Sequence, residues 1–515
     1  MNIKKHPQSY WTASSSPTDY PALNDDIKVD VAIIGGGISG ISCAYMLARE
    51  GVKLAVIEAD RILRGTTGHT TAKITSQHDL IYSKIKSTVS EEFAKLYADA
   101  NETAIRQIED ISKKHDIECD FTPQSAYVFT QQDDYIQKII DEVKEAQNLG
   151  IKAEYSEDIP LNIPIKAAVR FDNQAQFHPL KYALALAEEI TNGGGQIFEQ
   201  TRATDIEEHN GYTITTEQGK KVSAKKVVIA THYPFYNKEG LYVARIYTER
   251  AYVLAIKAKE KFPGGMYINA EEPTRSLRQQ NSEDGELIFV TGESHKTGQG
   301  EDTTVHYENL MQFANSHFSI EDIPYRWSTQ DCMTVDGIPY IGQYKSDTPN
   351  LYITTGFGKW GMTNSTVSAM LLKDLIVYGK SRWQEVYNPS RQTIIASAKS
   401  IVVENLNVAK ELIKGKIMPV PQDVEIKNGE GKVVKAEGQR TGAYRDENEN
   451  LHLVNTTCTH MGCELNWNSA ERSWDCPCHG SRFSYDGKVL EGPAISPLDY
   501  DNDVNTVEKL IKDKF

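Results

Sequence analysis

The N-terminal region contains the pattern that most limits how this chain can fold. Residues 29–34 are a run of strand-forming residues that leads directly into Gly35-Gly-Gly37-Ile-Ser-Gly40. A helical pattern follows, and a second strand pattern ends beside Glu58. A strand, a glycine turn, a helix and a strand within about 30 residues are typical of a βαβ unit. The sequence therefore predicts an α/β domain with a parallel sheet.

The residues of this unit also predict a ligand. Gly35 allows the tight turn, Gly37 lets the backbone approach a pyrophosphate at the helix N-terminus, and Gly40 permits close helix–strand packing. Glu58 can accept hydrogen bonds from both ribose hydroxyls and would repel a 2′-phosphate. The pattern predicts a dinucleotide other than NADP and leaves FAD and NAD open.

The cysteines cluster near the C-terminus, where four of the seven lie within 21 residues. With two histidines they form two short loops, Cys458-Thr-His460-Met-Gly-Cys463 and Cys476-Pro-Cys478-His479-Gly-Ser481. Two thiolates and two imidazoles can bind a tetrahedral zinc ion. They can equally bind a [2Fe–2S] cluster, with both thiolates on one iron and both imidazoles on the other. From the residues alone, both metal centres remain open.

Length and charge exclude several classes of protein. The 515 residues predict about three domains at roughly 150 residues each. The net charge of −15 argues against a nucleic-acid partner, because no basic surplus is available for phosphates. No apolar run reaches the ~18 residues of a transmembrane segment. The first residues do not form an apolar leader, so we expect a cytoplasmic location.

Residues 386–411 look like a helical linker. The apolar positions that indicate one or two amphipathic helices are Ile394, Ile395, Ala398, Ile401, Val402, Val403, Leu406 and Leu412. We favour a strap packed on the body of the protein over a helix on a membrane surface, and peripheral membrane association is the alternative. After Pro419, short strands and turns rich in Gly, Asn and Asp predict a small β domain.

The two cysteine–histidine loops closely resemble those of the Rieske iron–sulfur family, in the form found in respiratory and photosynthetic cytochrome complexes. The resemblance implies a [2Fe–2S] cofactor with exposed histidine ligands that exchange electrons with an outside partner. The ligands and the disulfide that it implies are Cys458 and Cys476 on one iron, His460 and His479 on the other, and a bond between Cys463 and Cys478.

Other residues extend this resemblance, and one departs from it. Gly492-Pro493-Ala494 is similar to the proline-containing loop that covers the cluster, and Ser481 matches a serine that hydrogen-bonds to a bridging sulfur. The cytochrome-complex form has a tyrosine where this chain has Phe483. Loss of a hydroxyl donor should place the potential below the top of the Rieske range of about −150 to +300 mV.

Residues 28–385 resemble the D-amino-acid oxidase, glycine oxidase and sarcosine oxidase superfamily of FAD enzymes. The segments that support this are the glycine fingerprint, Arg64-Gly-Thr-Thr-Gly-His69, Val227-Val-Ile-Ala-Thr231, Asp336-Gly-Ile-Pro-Tyr-Ile-Gly342 and Asn350-Leu-Tyr-Ile-Thr-Thr-Gly356-Phe-Gly-Lys-Trp-Gly361-Met362. The resemblance implies that the dinucleotide is FAD, and that the fold is a Rossmann-like FAD-binding domain of the glutathione-reductase type with an inserted α+β substrate domain.

The same resemblance implies roles for residues outside the fingerprint. Ala203 lies in a stretch that holds the adenine by its main chain, and Gly356, Gly361 and Met362 lie beside the flavin ring. Some relatives attach the flavin covalently through a histidine in a segment like the one that ends at His69. For this chain we favour a histidine within hydrogen-bonding reach of the flavin over a covalent link.

The substrate pocket departs from the usual pattern of the superfamily. Amino-acid oxidases carry an arginine where this chain has Asp331, so a carboxylate clamp is missing and a cationic amine is favoured. Lys359 falls where some relatives place a basic residue over the flavin, where it could bind a carboxylate or tune the flavin. Further pocket candidates by position are Tyr252, Tyr267, Arg275 and Arg278.

Together these features predict three domains. The FAD-binding domain comprises residues 28–85, 166–245 and 326–385, and the substrate domain comprises 86–165 and 246–325. A helical linker, 386–411, leads to an all-β Rieske domain, 412–515.

The predicted function is that of an FAD-dependent oxidoreductase acting on the C–N bond of an amine or amino-acid-like substrate. Electrons would pass singly through the Rieske cluster to an external redox protein or quinone. The alternatives are a flavin oxidase with a regulatory Rieske domain, and an electron-transfer partner that docks another redox protein.

Overall fold

The computed structural model describes residues 6–237, 240–300, 302–391, 393–421, 424–436 and 439–499. Within these ranges the chain forms one eight-stranded and one nine-stranded sheet, followed by two small sheets near the C-terminus. The two large sheets belong to the body of the protein, and the two small ones belong to the C-terminal domain. This arrangement confirms the predicted fold class.

The eight-stranded sheet begins with the predicted βαβ unit, which consists of Ile27–Ile34, the helix Ile38–Arg49 and Leu54–Ile57. The first strand pairs in parallel with Leu54–Ile57 on one side and with Lys221–Ile229 on the other. The apolar residues of these strands are buried because helices cover the sheet. The remaining strands are Gln196–Phe198, Ala203–Glu208, Tyr212–Thr216, Tyr340–Gln343 and Leu351–Thr355.

The nine-stranded sheet is mostly antiparallel and stands beside the first. Its long strands Ile246–Ala258 and Ile320–Thr334 pair over most of their length. Its other strands are Lys73–Ile74, Thr122–Thr130, Ala153–Ser156, Ala167–Gln176, Met266–Asn269, Arg275–Ser282 and Gly285–Lys296. Large aromatic residues such as Tyr252, Tyr267 and Tyr307 fill the core on one face of this sheet.

Helices cover the sheets and link the domains. The α-helices are Tyr10–Ala13, Ile38–Arg49, Ile81–Thr88, Glu91–Lys114, Ile136–Asn148, Pro179–Asn192, Thr304–His317, Gly361–Tyr378, Gln384–Tyr387, Thr393–Ala396 and Ala398–Ile417. Short 3₁₀ turns lie at Thr66–His69, Asp133–Tyr135 and Tyr242–Ala244. A search of the described residues finds no helix with the length and apolar character needed to cross a bilayer.

The C-terminal domain is built from short antiparallel strands, as the change of pattern after Pro419 predicts. One sheet contains Gly431–Ala436, Gln439–Arg445 and Leu451–Asn455. The other contains Asn466–Asn468, Ser473–Asp475, Arg482–Ser484 and Val489–Glu491. The cysteine–histidine loops precede and follow the first two strands of this second sheet.

The linker prediction is partly wrong. The helix Ala398–Ile417 extends past the predicted limit of 411, and several of the apolar positions expected to pack on the body face solvent. Val402 is 56% exposed, Val403 52% and Leu406 64%. Other predicted positions do pack on the body, since Ile394 is buried and Ile401 packs beside it, and Glu404 of the same helix pairs with Lys296 of the body.

Two strands lie outside the domains to which the sequence assigns them. Lys73–Ile74 and Ala167–Gln176 fall within the segments predicted for FAD binding, yet both belong to the nine-stranded sheet. Ile320–Thr334 crosses the predicted limit at residue 326. The predicted limit at residue 326 therefore falls inside a strand, because pairing across the sheet is not visible in the sequence. The remaining domain limits stay predictions.

Close packing of the glycine turn predicts a strong effect of one methyl group. A Cβ atom on Gly40 would lie 1.9 Å from the Gly35 carbonyl oxygen, which belongs to the backbone and cannot rotate away. We expect Gly40→Ala to lower the free energy of unfolding by about 3 kcal/mol. The measurement is a lower Tm or a lower yield of soluble protein. Gly361→Ala is the matched control, because its Cβ would meet no atom closer than 4.0 Å. Equal effects of the two substitutions would contradict this account.

Candidate active site and metal centre

A cavity of about 670 Å³ lies where the parallel strands of the eight-stranded sheet end, against the nine-stranded sheet. This is where α/β folds bind dinucleotides, since the carboxyl ends of the strands and the helix N-terminus meet there. Of the predicted FAD-binding residues, those that line the cavity are Gly35, Gly37, Glu58, Ala203, Gly361 and Met362. These widely spaced residues therefore meet in one cavity.

Glu58 is held by the turn that it follows. One carboxylate oxygen accepts a hydrogen bond from the Gly36 amide at 2.7 Å, and the other accepts one from the Asp60 amide at 3.0 Å. Burial raises the pKa of Glu58, while these two amides act in the opposite direction. The carboxylate is therefore oriented at the cavity wall, where a ribose can reach its remaining lone pairs.

Three of the predicted cofactor residues do not line the cavity. Gly40 and Gly356 act through packing, since a Cβ on Gly356 would lie 2.3 Å from the Thr334 side chain. Among the described residues, the lining includes Thr66, Thr67, Thr70 and Thr71 but not His69. The His69 ring forms a 2.9 Å hydrogen bond with the Gly65 carbonyl instead. The predicted contact of His69 with the flavin is not supported by this geometry.

The two predicted catalytic residues face the same cavity. Asp331 is buried, and burial raises its pKa to about 7, although Lys359 partly offsets this rise. The Lys359 ammonium donates a 3.0 Å hydrogen bond to Ser294 and lies 3.8 Å from the Glu249 carboxylate. A carboxyl group and an ammonium group on one cavity wall can bind the two ends of an amino-acid-like molecule.

Lys73 is a cavity residue that sequence reasoning missed. It lines the cavity and donates a 3.1 Å hydrogen bond to the Tyr267 carbonyl and a second one to the Ser276 hydroxyl. Surrounding protein and nearby Arg278 lower the pKa of Lys73 to about 7. The sequence offers no signal for it, because the strand that carries it is two residues long.

The other pocket candidates do not line the cavity, although Arg278 bonds to the carbonyl of the cavity residue Thr71. Tyr252 and Tyr267 are packed in the core behind the sheet, whereas their neighbours Ala251 and Ile268 line the cavity. Side chains alternate between the two faces of a strand, so an assignment that is wrong by one residue selects the wrong face. Ser276 likewise lines the cavity in place of Arg275.

The two cysteine–histidine loops adopt a matching backbone path. The Cys458 carbonyl accepts a hydrogen bond from the Gly462 amide at 2.9 Å, and the Cys476 carbonyl accepts one from the Gly480 amide at 3.0 Å. Both glycines have left-handed backbone conformations, with φ of 71° and 75°. Each loop therefore turns back at a glycine and carries a buried cysteine at its start.

The remaining side chains fit a metal centre. Cys463 and Cys478 form a disulfide that ties the loops together, which leaves Cys458 and Cys476 as free thiols. The His460 and His479 rings lie 5.1 Å apart. Their Nδ1 atoms are buried, and within the described chain they have no hydrogen-bond partner. Two thiols and two unpartnered imidazole nitrogens are the donor set of a Rieske cluster.

Residues 488–497 connect the two sites. The Ala494 amide donates a 3.0 Å hydrogen bond to the Ser481 hydroxyl, which places the predicted cover loop against the second cysteine loop. Lys488, Glu491, Gly492 and Ala494 also line the cavity that contains the glycine fingerprint. One loop of the C-terminal domain thus forms a wall of the cavity in the body.

The two loop histidines lie where the C-terminal domain meets the body of the protein, which corrects the expectation that both are exposed to an outside partner. His479 is only 4% exposed, and His460 is half-buried with its Nε2 3.5 Å from the Asn237 amide. Gly480 contacts the Thr248 side chain so closely that a Cβ would lie 2.3 Å away. The expected exposure was wrong because the sequence of a loop does not reveal which surface will cover it.

A buried group of four charges joins the C-terminal domain to the body. Arg250, fully buried in the nine-stranded sheet, donates a 2.6 Å hydrogen bond to Glu491. Arg482 bonds to the same carboxylate at 3.2 Å and to Asp475 at 3.0 Å. Burial alone would raise the pKa of Glu491, but the two arginines lower it to about 2. Both acids are therefore charged, and we call these four residues the interdomain ion cluster.

Fold and site define a flavin-dependent oxidoreductase that carries a second redox centre. Residues 30–375 match the family model of FAD-dependent oxidoreductases, and residues 416–508 match that of the Rieske [2Fe–2S] domain. The chain belongs to the FAD-dependent oxidoreductase family and has a C-terminal Rieske domain. Its cofactors are FAD and a [2Fe–2S] cluster.

Several known proteins are similar to this chain. A Bacillus subtilis protein named "Putative Rieske 2Fe-2S iron-sulfur protein YhfW" is 45% identical over 96% of this chain and 97% of its own length. Gamma-glutamylputrescine oxidoreductase of Escherichia coli is 22% identical over 73% of this chain and 90% of its own length. Cytochrome b6-f complex iron-sulfur subunit 3 of Nostoc is 34% identical over 21% of this chain and 63% of its own length.

Solved structures share the fold of the body. Glycine oxidase from Geobacillus kaustophilus superposes with a TM-score of 0.60 at 18% identity, covering 71% of this chain and 99% of that one. L-proline dehydrogenase from P. horikoshii superposes with a TM-score of 0.59 at 20% identity, covering 71% of this chain and 97% of that one. At these identities the likeness shows the fold.

The two free thiols of the loops predict which cysteines hold iron. We expect Cys458→Ser and Cys476→Ser to abolish cluster absorbance and to remove iron and acid-labile sulfide from the purified protein. Cys119→Ser is the matched control, because Cys119 is an equally buried free cysteine that contacts Ser112 away from the loops. Full iron content in either loop variant would exclude that cysteine as a ligand.

Proposed function

We propose that this protein oxidises the C–N bond of an amine or amino-acid-like substrate and passes the electrons singly to an external acceptor. FAD accepts a hydride, and a [2Fe–2S] centre transfers one electron at a time. The observation that carries the proposal is the shared wall, since Glu491 and Ala494 of the Rieske domain line the cavity that contains Gly35 and Gly37. The two redox sites are neighbours in one chain.

We also propose a role for each of the predicted site residues. We assign Cys458 and Cys476 to one iron and His460 and His479 to the other. For FAD we assign the pyrophosphate and ribose to Gly35, Gly37 and Glu58, the adenine to Ala203, and the flavin ring to Gly361 and Met362, while Gly40 and Gly356 shape the site through packing. His69 remains a predicted neighbour of the cofactor.

The substrate class follows from the cavity wall. Asp331 in its ionised form attracts a cationic amine, and Lys359 lies where it can bind a carboxylate at the other end of the molecule. Several similar proteins have names that refer to amine or amino-acid oxidation, which supports the same class. Lys73 adds a third polar group to the cavity wall. Because its pKa is lowered to about 7, the Lys73 side chain can lose its proton and become a neutral amine at moderate pH.

Electrons have a short route out of the body and an exposed edge at which to leave. His479 is 4% exposed, and the next residue, Gly480, packs against Thr248 of the body. Met461, next to His460, is 57% exposed, and Thr459 is exposed as well. We therefore place the docking of an external acceptor, a redox protein or a quinone, at this edge. The cytoplasm remains the predicted location.

The proposal is tested by anaerobic mixing with a panel of amines and amino acids. A substrate should bleach the flavin absorbance, and the cluster signal in EPR should then appear within the same turnover. Flavin that is reduced while the cluster stays oxidised through many turnovers would exclude the relay. Rapid peroxide formation in air, stoichiometric with substrate, would indicate the flavin-oxidase alternative.

Asp331 predicts a pH dependence of substrate binding. Because burial raises its pKa to about 7, the carboxyl group is neutral below that pH and cannot pair with a cationic amine. We expect kcat/KM to rise with pH through about 7. In the Asp331→Asn variant this rising part of the pH profile should disappear, and kcat/KM should fall roughly tenfold or more. Asp322→Asn, at the exposed end of the same strand, should keep the rise. If the Asp331→Asn variant kept the rise of kcat/KM with pH, that rise would belong to another titrating group.

The interdomain ion cluster predicts a variant that separates the two redox steps. Glu491→Gln leaves Arg250 and Arg482 without their shared carboxylate, at a cost of about 3 kcal/mol to docking. We expect stopped-flow to show at least about tenfold slower cluster reduction, with a smaller change in flavin reduction. Glu430→Gln, an exposed pair with Lys432 in the Rieske domain, is the control. If the rate of cluster reduction were unchanged in Glu491→Gln, the interdomain ion cluster would have no part in electron transfer.

A further inference from the structure

The helix Ala398–Ile417 presents an apolar stripe to solvent. Val402 is 56% exposed, Leu406 64%, Ile413 58% and Ile417 74%. These residues follow one another at spacings of four, seven and four, so they share one face of the helix. We call them the apolar stripe. Large exposed aliphatic side chains in one row are uncommon on a protein surface that contacts only water.

The orientation of this helix is set by its opposite face. Glu404 pairs with Lys296, and the Asn405 amide donates a 3.0 Å hydrogen bond to the Ala244 carbonyl. Further along, the Val408 carbonyl lies 3.9 Å from the Cys478 sulfur, and Lys416 pairs with Glu464. These contacts anchor the helix to the body and to the cluster loops. Rotation that would bury the apolar stripe would break them.

The charges of the helix distinguish it from the rest of the chain. Its exposed charged side chains, as far as the structure describes them, are lysines: Lys399 and Lys410, together with Lys414 and Lys416, which pair with Glu411 and Glu464. Its two glutamates, Glu404 and Glu411, are half-buried or buried and both lie beside lysines. The chain as a whole has a net charge of −15. A row of aliphatic residues bordered by lysines is therefore a local exception.

We propose that the apolar stripe docks on the surface of a lipid bilayer that contains anionic lipids. Aliphatic side chains on one face of a helix enter the boundary between headgroups and acyl chains, and bordering lysines pair with anionic headgroups. A helix of 20 residues lying flat is about 30 Å long, so all four residues of the stripe can enter one leaflet. Charge complementarity favours this partner over a second copy of the same acidic chain.

Membrane docking would also place the redox centre. The same helix contacts Cys478 and Glu464 in the two cluster loops, next to the exposed Met461. An acceptor dissolved in the bilayer would then meet the exposed edge of the Rieske domain. The lipid-binding surface stands on the helix alone, so its test is independent of the proposed reaction.

The test is co-sedimentation of the full-length holoprotein with vesicles of phosphatidylcholine, alone or mixed with phosphatidylglycerol. We expect about tenfold or greater preference for the mixed vesicles at low salt, weakened as ionic strength rises. The double variant Leu406→Glu, Ile413→Glu should lose at least about tenfold in binding. Val305→Glu, a 42% exposed valine on another helix, is the matched control and should bind as the unmodified protein does. Unchanged flavin and cluster spectra show that each variant is folded.

Three results would overturn the proposal. The first is absence of binding to mixed vesicles, or binding that the double variant retains. The second is a dimer in light scattering that the double variant abolishes, which would make the stripe an interface between copies of this chain. The third is strong vesicle binding only after deletion of residues 501–515, which would identify that segment as the occupant of the stripe.

Discussion

Two arginines and two carboxylates at one interface, all buried except the half-buried Glu491, hold the two halves of this protein together. Arg250 belongs to the nine-stranded sheet, whereas Asp475, Arg482 and Glu491 belong to the Rieske domain. Removing one partner from such a group leaves an uncompensated buried charge, so the group tolerates only a narrow range of relative positions. Because Glu491 also lines the cavity, the ion cluster sets the distance between the two redox sites.

The packing of the Rieske domain on the body gives a physical reason for joining the two domains in one chain. In a separate electron-transfer protein, a partner must first find the histidine edge of the cluster by diffusion. Here His479 and Gly480 are already packed against the body. Under the proposed relay, electron exchange with the flavin would be an event within one chain, and among the described residues the exposed edge beside Met461 stays open to an outside acceptor.

The most reliable predictions from the sequence are those that depend on neighbouring residues. The glycine turn, Glu58 and the two cysteine–histidine loops each lie within a few residues, and local backbone geometry explains their spacing. Predictions that depend on which face of a strand or helix is covered were less accurate. Tyr252 and Tyr267 lie one residue away from cavity positions, and Val402 and Leu406 face solvent. Lys73 had no signal because the short strand that carries it depends on distant pairing.

The sequence by itself determined that the chain has a dinucleotide site at the glycine turn and a metal centre at the cysteine–histidine loops, since both need only short-range geometry, and the resemblance to known families selected FAD and a [2Fe–2S] cluster. It also determined the class of fold, because the βαβ unit permits few alternatives. Only the tertiary structure decided that the cysteine–histidine loops pack against the body, that Glu491 joins the cavity and that the linker helix turns its apolar stripe outward. Each of these depends on contacts between segments far apart in the chain, and no local pattern of residues encodes which distant surfaces will meet.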